Sequence, residues 1–173
     1  MKLVLATQNP KKLKEMNEIL SHLGVEVVSE AELGVRIEVE ETGETFTENA
    51  RLKATAVMQA TGLPAVADDS GLCVDALNGG PGVYSARFGG EGLDDKGRYT
   101  LLLEMLRGQT DRAAHFHTSI VCAFPNGDEM VCEGECPGTI AFAPMGEGGF
   151  GYDPVFFVPE LRKTFGQLTA GEK

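Results

Sequence analysis

Two adjacent carboxylates, Asp68 and Asp69, followed at once by Ser70 and Gly71, are the residues of this chain best suited to chemistry. They come directly after Ala65-Val66-Ala67, a short apolar run that reads as a buried strand. An ionised pair there must be solvated, paired with cations or bound to a metal, because burying bare charge is costly. At the end of a strand in an open α/β sheet, the loop faces the crevice where ligands bind. The stretch therefore reads as a divalent-metal and water-activating site, or else as an acidic turn that starts the next strand.

A second polar cluster is Thr7-Gln8-Asn9-Pro10-Lys11-Lys12, placed between a strand-like Lys2 to Ala6 and a helix. Asn9 suits the N-cap and Pro10 the first helical position. Free backbone N–H groups, a favourable helix dipole and two lysines make this helix start an anion site. Lysines also decorate solvated helix faces, so a phosphate role for Lys11 and Lys12 and a surface role both fit. Lys53 carries the same two readings, with Asn49 one turn before it on the same side of its helix.

A third stretch, Gly146-Glu147-Gly148-Gly149-Phe150-Gly151-Tyr152-Asp153-Pro154, combines exposed backbone with two aromatics. A nucleobase stacked on such a ring gains about 1–3 kcal/mol. The plain alternative is an edge loop whose aromatics pack inward.

The elements that must position these residues follow from periodicity and punctuation. Leu13, Met16, Leu20 and Leu23 recur at helical spacing, and Gly24 closes that helix. Val25 to Val28 is a short strand. The acidic segment from Glu30 to Glu48 is mostly a solvated face, broken by Gly43. Thr45-Phe46-Thr47-Glu48 has the spacing of a capping box, which predicts a helix from there to Thr61, closed by Gly62. Phe46, Ala50, Ala54 and Val57 form its apolar stripe. After the acidic turn Leu72-Cys73-Val74 resumes as a strand, and the glycine-rich run to Gly90 reads as a mobile or closely approached loop. Tyr99, Leu102, Leu103 and Leu106 mark a helix ended by Gly108. Phe116 to Phe124 and Met130 to Glu135 are strands joined through Asn126-Gly127, a strong hairpin signal. Val155 to Val158 is another buried strand. A hairpin means the sheet is not purely parallel, so a mixed sheet in two lobes fits better than a doubly wound fold.

Composition sets the outer bounds. At 173 residues, with 42% apolar and 24% charged, the chain is one globular domain of ordinary size. No apolar run reaches the roughly 20 residues a membrane span needs, and no signal peptide is evident, which points to a soluble cytoplasmic protein. A net charge of −11 argues against nucleic acid as a partner. It leaves room for a small polyphosphate, since lysines and Mg²⁺ offset charge locally and distant charge is screened beyond about 8 Å. Cys73, Cys122, Cys132 and Cys136 show no CxxC spacing and read as reduced thiols. His115 and His117 share a strand face, with Cys132 and Cys136 on the partner strand, but that spacing fits no familiar zinc module.

Several motifs taken together resemble one family. They are Thr7-x-Asn9-x-x-Lys12, Glu40-Glu41-Thr42-Gly43, Phe46-x-Glu48-Asn49-Ala50, Ala67-Asp68-Asp69-Ser70-Gly71-Leu72, Pro81-Gly82-Val83-Tyr84-Ser85-Ala86-Arg87-Phe88 and Gly148 to Pro154. Their order and spacing are similar to those of the Ham1-like inosine/xanthosine triphosphate pyrophosphatases, over essentially the whole chain. The resemblance implies an α/β fold, with a long mixed β-sheet and flanking helices forming two lobes around a central cleft. It implies a homodimeric, Mg²⁺-dependent enzyme converting dITP, ITP or XTP to the monophosphate and pyrophosphate.

By the same resemblance Thr7, Gln8, Asn9, Pro10, Lys11, Lys12 and Lys53 would hold the triphosphate. Glu40 and Asp69 would hold the metal, with Asp69 also the general base, and Asp68 and Ser70 would line the site. Phe150, Gly151, Tyr152 and Asp153 would embrace the base, and Lys173 would reach its keto edge. Members of the family continue beyond this lysine into a Ser-His-Arg motif and a last helix, a segment these 173 residues do not include. Two other readings stay open: a Maf-like pyrophosphatase acting on other nucleotides, and a non-catalytic nucleotide-binding module.

Overall fold

A computed structural model describes residues 2–172 apart from Gln8, Leu23 and Ala170; of Lys11, Glu15 and Ser21 it describes the backbone alone. The elements in chain order are β1 (Lys2–Leu5), α1 (Pro10–Ser21), β2 (Glu26–Ser29), α2 (Phe46–Thr61), β3 (Ala65–Val74), β4 (Gly80–Pro81), α3 (Asp95–Met105), β5 (Ala113–Ala123), β6 (Glu129–Ile140), β7 (Phe156–Val158) and β8 (Lys163–Thr164). The strands hydrogen-bond in the order β2-β1-β3-β5-β6-β7-β8, with β4 on β3. β1 runs parallel to β2 and β3, whereas β6–β7 and β7–β8 are antiparallel. The sheet is therefore mixed, as the hairpin signal requires.

The chain divides into two compact units, Met1–Asp69 with Thr118–Gly134, and Ser70–His117 with Glu135–Lys173. In the first, strand alternation sorts the core into two faces. Val4, Ala6, Ala65, Ala67, Val121 and Ala123 pack with Ala50, Ala54 and Val57 of α2. Leu3, Leu5 and Val66 point the other way, toward Leu13, Met16 and Leu20 of α1. This unit is thus a sheet covered by one helix on each face. The β5–β6 turn closes with Phe124 N–H donating to Asp128 O at 3.0 Å, and Gly127 takes the positive φ of +91° that the Asn-Gly pair foretells.

In the second unit Leu102 and Leu106 lie in and just past α3. They pack with Leu72, Val74, Ala114, Ile140, Tyr152 and Phe156. Phe116, Phe156 and Phe165 meet in that core with ring centroids 4.7 to 5.6 Å apart. The glycine-rich run expected to be a loop contains a short helical turn, Gly82–Arg87. Ser85 fastens it, since its hydroxyl donates to Gly82 O at 2.6 Å and accepts Leu72 N–H at 2.9 Å.

The largest departure from expectation is at the acidic pair. No turn interrupts the chain there: β3 runs unbroken through Asp68, Asp69 and Ser70. An extended backbone sends neighbouring side chains to opposite faces, so the two carboxylates part company and each can be satisfied separately.

Candidate active site

Asp68 turns to the α1 face and meets Lys12, whose Nζ donates to Oδ2 at 2.5 Å, with the side chains 23% and 11% exposed. The N-terminus of α1 delivers that lysine. Thr7 Oγ1 accepts Asn9 N–H at 3.2 Å, and the Asn9 carbonyl accepts Leu13 N–H at 3.0 Å, so the chain enters the helix in a fixed geometry.

Asp69 turns to the α2 face and is buried. Two residues one helical turn apart reach it: Lys53 Nζ lies 3.3 Å from Oδ1, and Asn49 Nδ2 lies 3.3 Å from Oδ2. Lys53 also donates to Glu41 Oε1 at 2.9 Å, so one ammonium bridges two carboxylates. Burial pushes the Asp69 carboxyl above its ordinary value; Lys53 pulls it back, Glu41 adds to the push, and Asn49 pulls back in turn. Burial works against the charge of Lys53, but the Glu41 hydrogen bond and the charges of Asp69, Glu41 and Asp68 outweigh it and hold the ammonium above its ordinary range. Asp68 thus acts on both lysines.

The loop that brings Glu41 in is clamped to the start of α2. Thr45 and Glu48 form the expected capping box. Glu48 Oε2 accepts the N–H groups of Glu44 and Thr45 at 2.7 and 3.2 Å, and Asn49 Oδ1 accepts Gly43 N–H at 2.8 Å. The buried Asn49 amide therefore spends its oxygen on the loop and its nitrogen on Asp69. Gly43 is required by closeness: a Cβ there would stand 2.7 Å from Asn49 Oδ1 and 2.7 Å from Glu48 Cβ. Thr47 anchors the same helix end to the sheet: its hydroxyl donates to Glu133 Oε1 at 2.7 Å, which also accepts the Ser119 hydroxyl at 3.1 Å.

Of the residues expected to act together, Lys12 with Asp68, and Lys53 with Asp69, are brought into contact. Pro10 is exposed, Thr7 and Asn9 are half-buried beside it, and Glu40 is exposed next to the drawn-in Glu41. Gln8, Lys173 and the side chain of Lys11 lie outside the described residues. Ser70 is half-buried on β3 and begins the second unit. Sequence reading gave no role to Glu41, and noted Asn49 only by its position. The i to i+4 relation of Asn49 to Lys53 was the available signal for the second; nothing local distinguishes Glu41 from Glu40.

In the second unit the Phe150–Asp153 segment is held from within. Tyr152 is buried, its hydroxyl donates to Ser85 O at 2.8 Å, and burial raises its phenol strongly. Its ring belongs to the core, so the inward-packing alternative describes Tyr152. Asp153 is also buried and its Oδ2 accepts Phe150 N–H at 3.0 Å. A Cβ at Gly149, where φ is +76°, would overlap that carboxylate. Asp95 Oδ2 accepts Gly151 N–H at 2.8 Å. Phe150 and Gly151 remain partly exposed.

Glu41 and Asp69, the two carboxylates that share Lys53, offer oxygen ligands of the kind a hard divalent cation such as Mg²⁺ takes. Lys53 demonstrates that positive charge is accommodated between Glu41 and Asp69. Lys12, in the first turn of α1, joins an ammonium group to the free backbone donors of a helix start, a combination that suits an anion such as phosphate. The structure is thus a mixed α/β protein with a carboxylate–lysine cluster built on one strand.

The chain belongs to the Ham1 family, whose sequence model matches residues 3–173. A protein from Exiguobacterium sp. named dITP/XTP pyrophosphatase is 50% identical over 100% of this chain and 88% of its own length. One of the same name from Thermus thermophilus is 51% identical, over 100% of this chain and 84% of that protein. Among solved structures, the Staphylococcus aureus Ham1 protein superposes with a TM-score of 0.91 at 43% identity, covering 100% of this chain and 89% of that one. The Coxiella burnetii HAM1 protein gives a TM-score of 0.93 at 43% identity, covering 99% and 89%.

Proposed function

We infer that this protein hydrolyses dITP, ITP and XTP to the nucleoside monophosphate and pyrophosphate. The observation that carries the reading is the buried Asp69 carboxylate, pushed toward basicity and held by Lys53 and Asn49. The names of relatives at 50% identity supply the substrate class. By this reading the reaction is direct attack of water on the α-phosphorus. Asp69 accepts the proton of that water, a task suited to a carboxyl whose proton affinity is raised. Lys12 and Lys53 stabilise charge developing on the departing pyrophosphate. Asp68 keeps Lys12 in place until the phosphates compete for it. Asn49 fixes the orientation of the Asp69 carboxylate.

Asp69 and the Glu40–Glu41 pair would hold Mg²⁺, which when bound offsets triphosphate charge and acidifies the attacking water. Thr7, Gln8, Asn9, Pro10 and Lys11 contribute the rest of the phosphate contacts, and Ser70 lines the site. Phe150 and Gly151 meet the base, Tyr152 and Asp153 support them from behind, and Lys173 reaches the 6-keto oxygen. A donor aimed at that oxygen disfavours a 6-amino purine, which would leave two donors face to face. The same reading takes the enzyme to be a cytoplasmic homodimer; among the described residues no helix is long and apolar enough to cross a membrane.

The test is product analysis across a panel of triphosphates with and without Mg²⁺. Mg²⁺-dependent pyrophosphate from dITP and XTP, with dATP and dGTP turned over far more slowly, is the expected result. Orthophosphate as the first product, or no release at all, would refute it.

A further inference from the structure

His115 and His117 stand two residues apart on β5, so both imidazoles leave the same face of the second unit's sheet. Glu135, on the neighbouring strand β6, lies against them. Its Oε1 is 3.0 Å from His117 Nδ1 and 3.9 Å from His115 Nε2. The three groups each present a ligand atom within 4.8 Å of the others. The His117 side chain is well sheltered at 18% exposure and His115 moderately so at 34%, while Glu135 stays open at 59%.

The backbone beneath these side chains is firmly set. Phe116, between the two histidines, turns into the core and packs on Phe156 and Phe165. Cys136, next to Glu135, packs against the same core. Alternation that buries Phe116 and Cys136 is what leaves His115, His117 and Glu135 together on the opposite side. It also removes Cys136 from their company, so the histidine–cysteine grouping considered from sequence becomes a histidine–glutamate one.

We propose that His115, His117 and Glu135 form a binding site for a divalent transition-metal ion of the zinc type. Bonds of 2.0–2.1 Å to imidazole and carboxylate set tetrahedral ligand atoms about 3.3 Å apart, which falls inside the observed spacing. Two imidazoles and one carboxylate favour zinc and its neighbours over Mg²⁺, which prefers an all-oxygen octahedron. The exposed side of Glu135 leaves the remaining coordination position to water. A bound ion ties β5 to β6 and raises the temperature of unfolding, because it binds the folded chain alone. The site shares no residue with the Asp68–Asp69 cluster and does not depend on the reaction inferred for it.

The experiment uses the full chain, stripped with chelator and kept in excess Mg²⁺ so that all-oxygen sites are filled. Titration with Zn²⁺ by calorimetry, and with Co²⁺ by visible absorption, should show one equivalent in a mixed nitrogen–oxygen environment. His117→Gln, His115→Gln and Glu135→Gln should each weaken binding by about a hundredfold, whereas Asp69→Asn and Cys132→Ser should leave it unchanged. Equal affinity in the three site variants, loss in Cys132→Ser, or no saturable equivalent in the parent protein overturns the proposal. Should a variant misfold, the parent chain decides the matter. Zn²⁺ should protect His115 and His117, but not the exposed His22, from diethyl pyrocarbonate, read by peptide mass spectrometry. Unprotected histidines would mean that Glu135 is merely their hydrogen-bond partner.

Discussion

Asp69 and Lys53 lie 3.3 Å apart, and after burial each bears on the other's charge. Replacing Asp69 by Asn keeps the shape and the Asn49 neighbour but removes the proton acceptor. Turnover of dITP should fall by about a thousandfold or more, the scale of removing a catalytic base, while nucleotide affinity largely survives. Turnover within tenfold of the parent protein would take the role of base away from Asp69. Lys53→Met addresses the same pair from the other side. Lys53 is the strongest influence lowering the Asp69 pKa against burial, so its loss lifts that pKa further. Only ionised Asp69 accepts a proton, so kcat/KM declines as pH drops through its pKa. The acidic limb should therefore move to higher pH in Lys53→Met, and a pH–rate profile unchanged in position would contradict the coupling. Lys12→Ala removes a phosphate contact and the Asp68 ion pair but nothing assigned to the base, so KM should rise for every accepted triphosphate by a similar factor.

The start of α2 shows how an element carries a site. Its first turn holds the Gly43-Glu44-Thr45 backbone through Glu48 and Asn49, and the same loop carries Glu41 toward Lys53. Thr45→Ala removes only the cap and should cost about 1 kcal/mol in urea unfolding, with turnover changed little. Gly43→Ala inserts a methyl group where there is no space, at a cost of about 1–3 kcal/mol, and drives Asn49 off Asp69. Activity should drop well beyond the loss of stability. Equal behaviour of the two variants would mean the loop does not align the site. The capping box, the Gly62 closure at φ +68° and the Asn-Gly hairpin were all legible in the sequence, because each is a local contest settled within a few residues. β3 was not. Two consecutive carboxylates inside a strand are reasonable only once their lysine partners are known, and those lie 56 and 16 residues away.

Across the whole molecule the four cysteines are free, and their surroundings rank them. Burial pushes the thiols of Cys73, Cys122 and Cys136 up, whereas Cys132 is exposed on β6. Mild alkylation of the native chain should label Cys132 first and leave the other three until unfolding, as peptide mass spectrometry would show. Labelling of Cys73 ahead of Cys132 would mean that β3 opens readily.

Element types, most of their ends and the kind of ligand were decided by the chain of residues itself. Periodicity, capping and turn chemistry depend on neighbours along the backbone, and the ordered set of motifs was enough to point to the family. Which carboxylate faces which lysine, why Glu41 is the acidic residue brought to Asp69, and why Tyr152 belongs to the core were decided only by tertiary structure. Those outcomes turn on which face of a strand or helix a side chain leaves from, and on what distant segment covers that face.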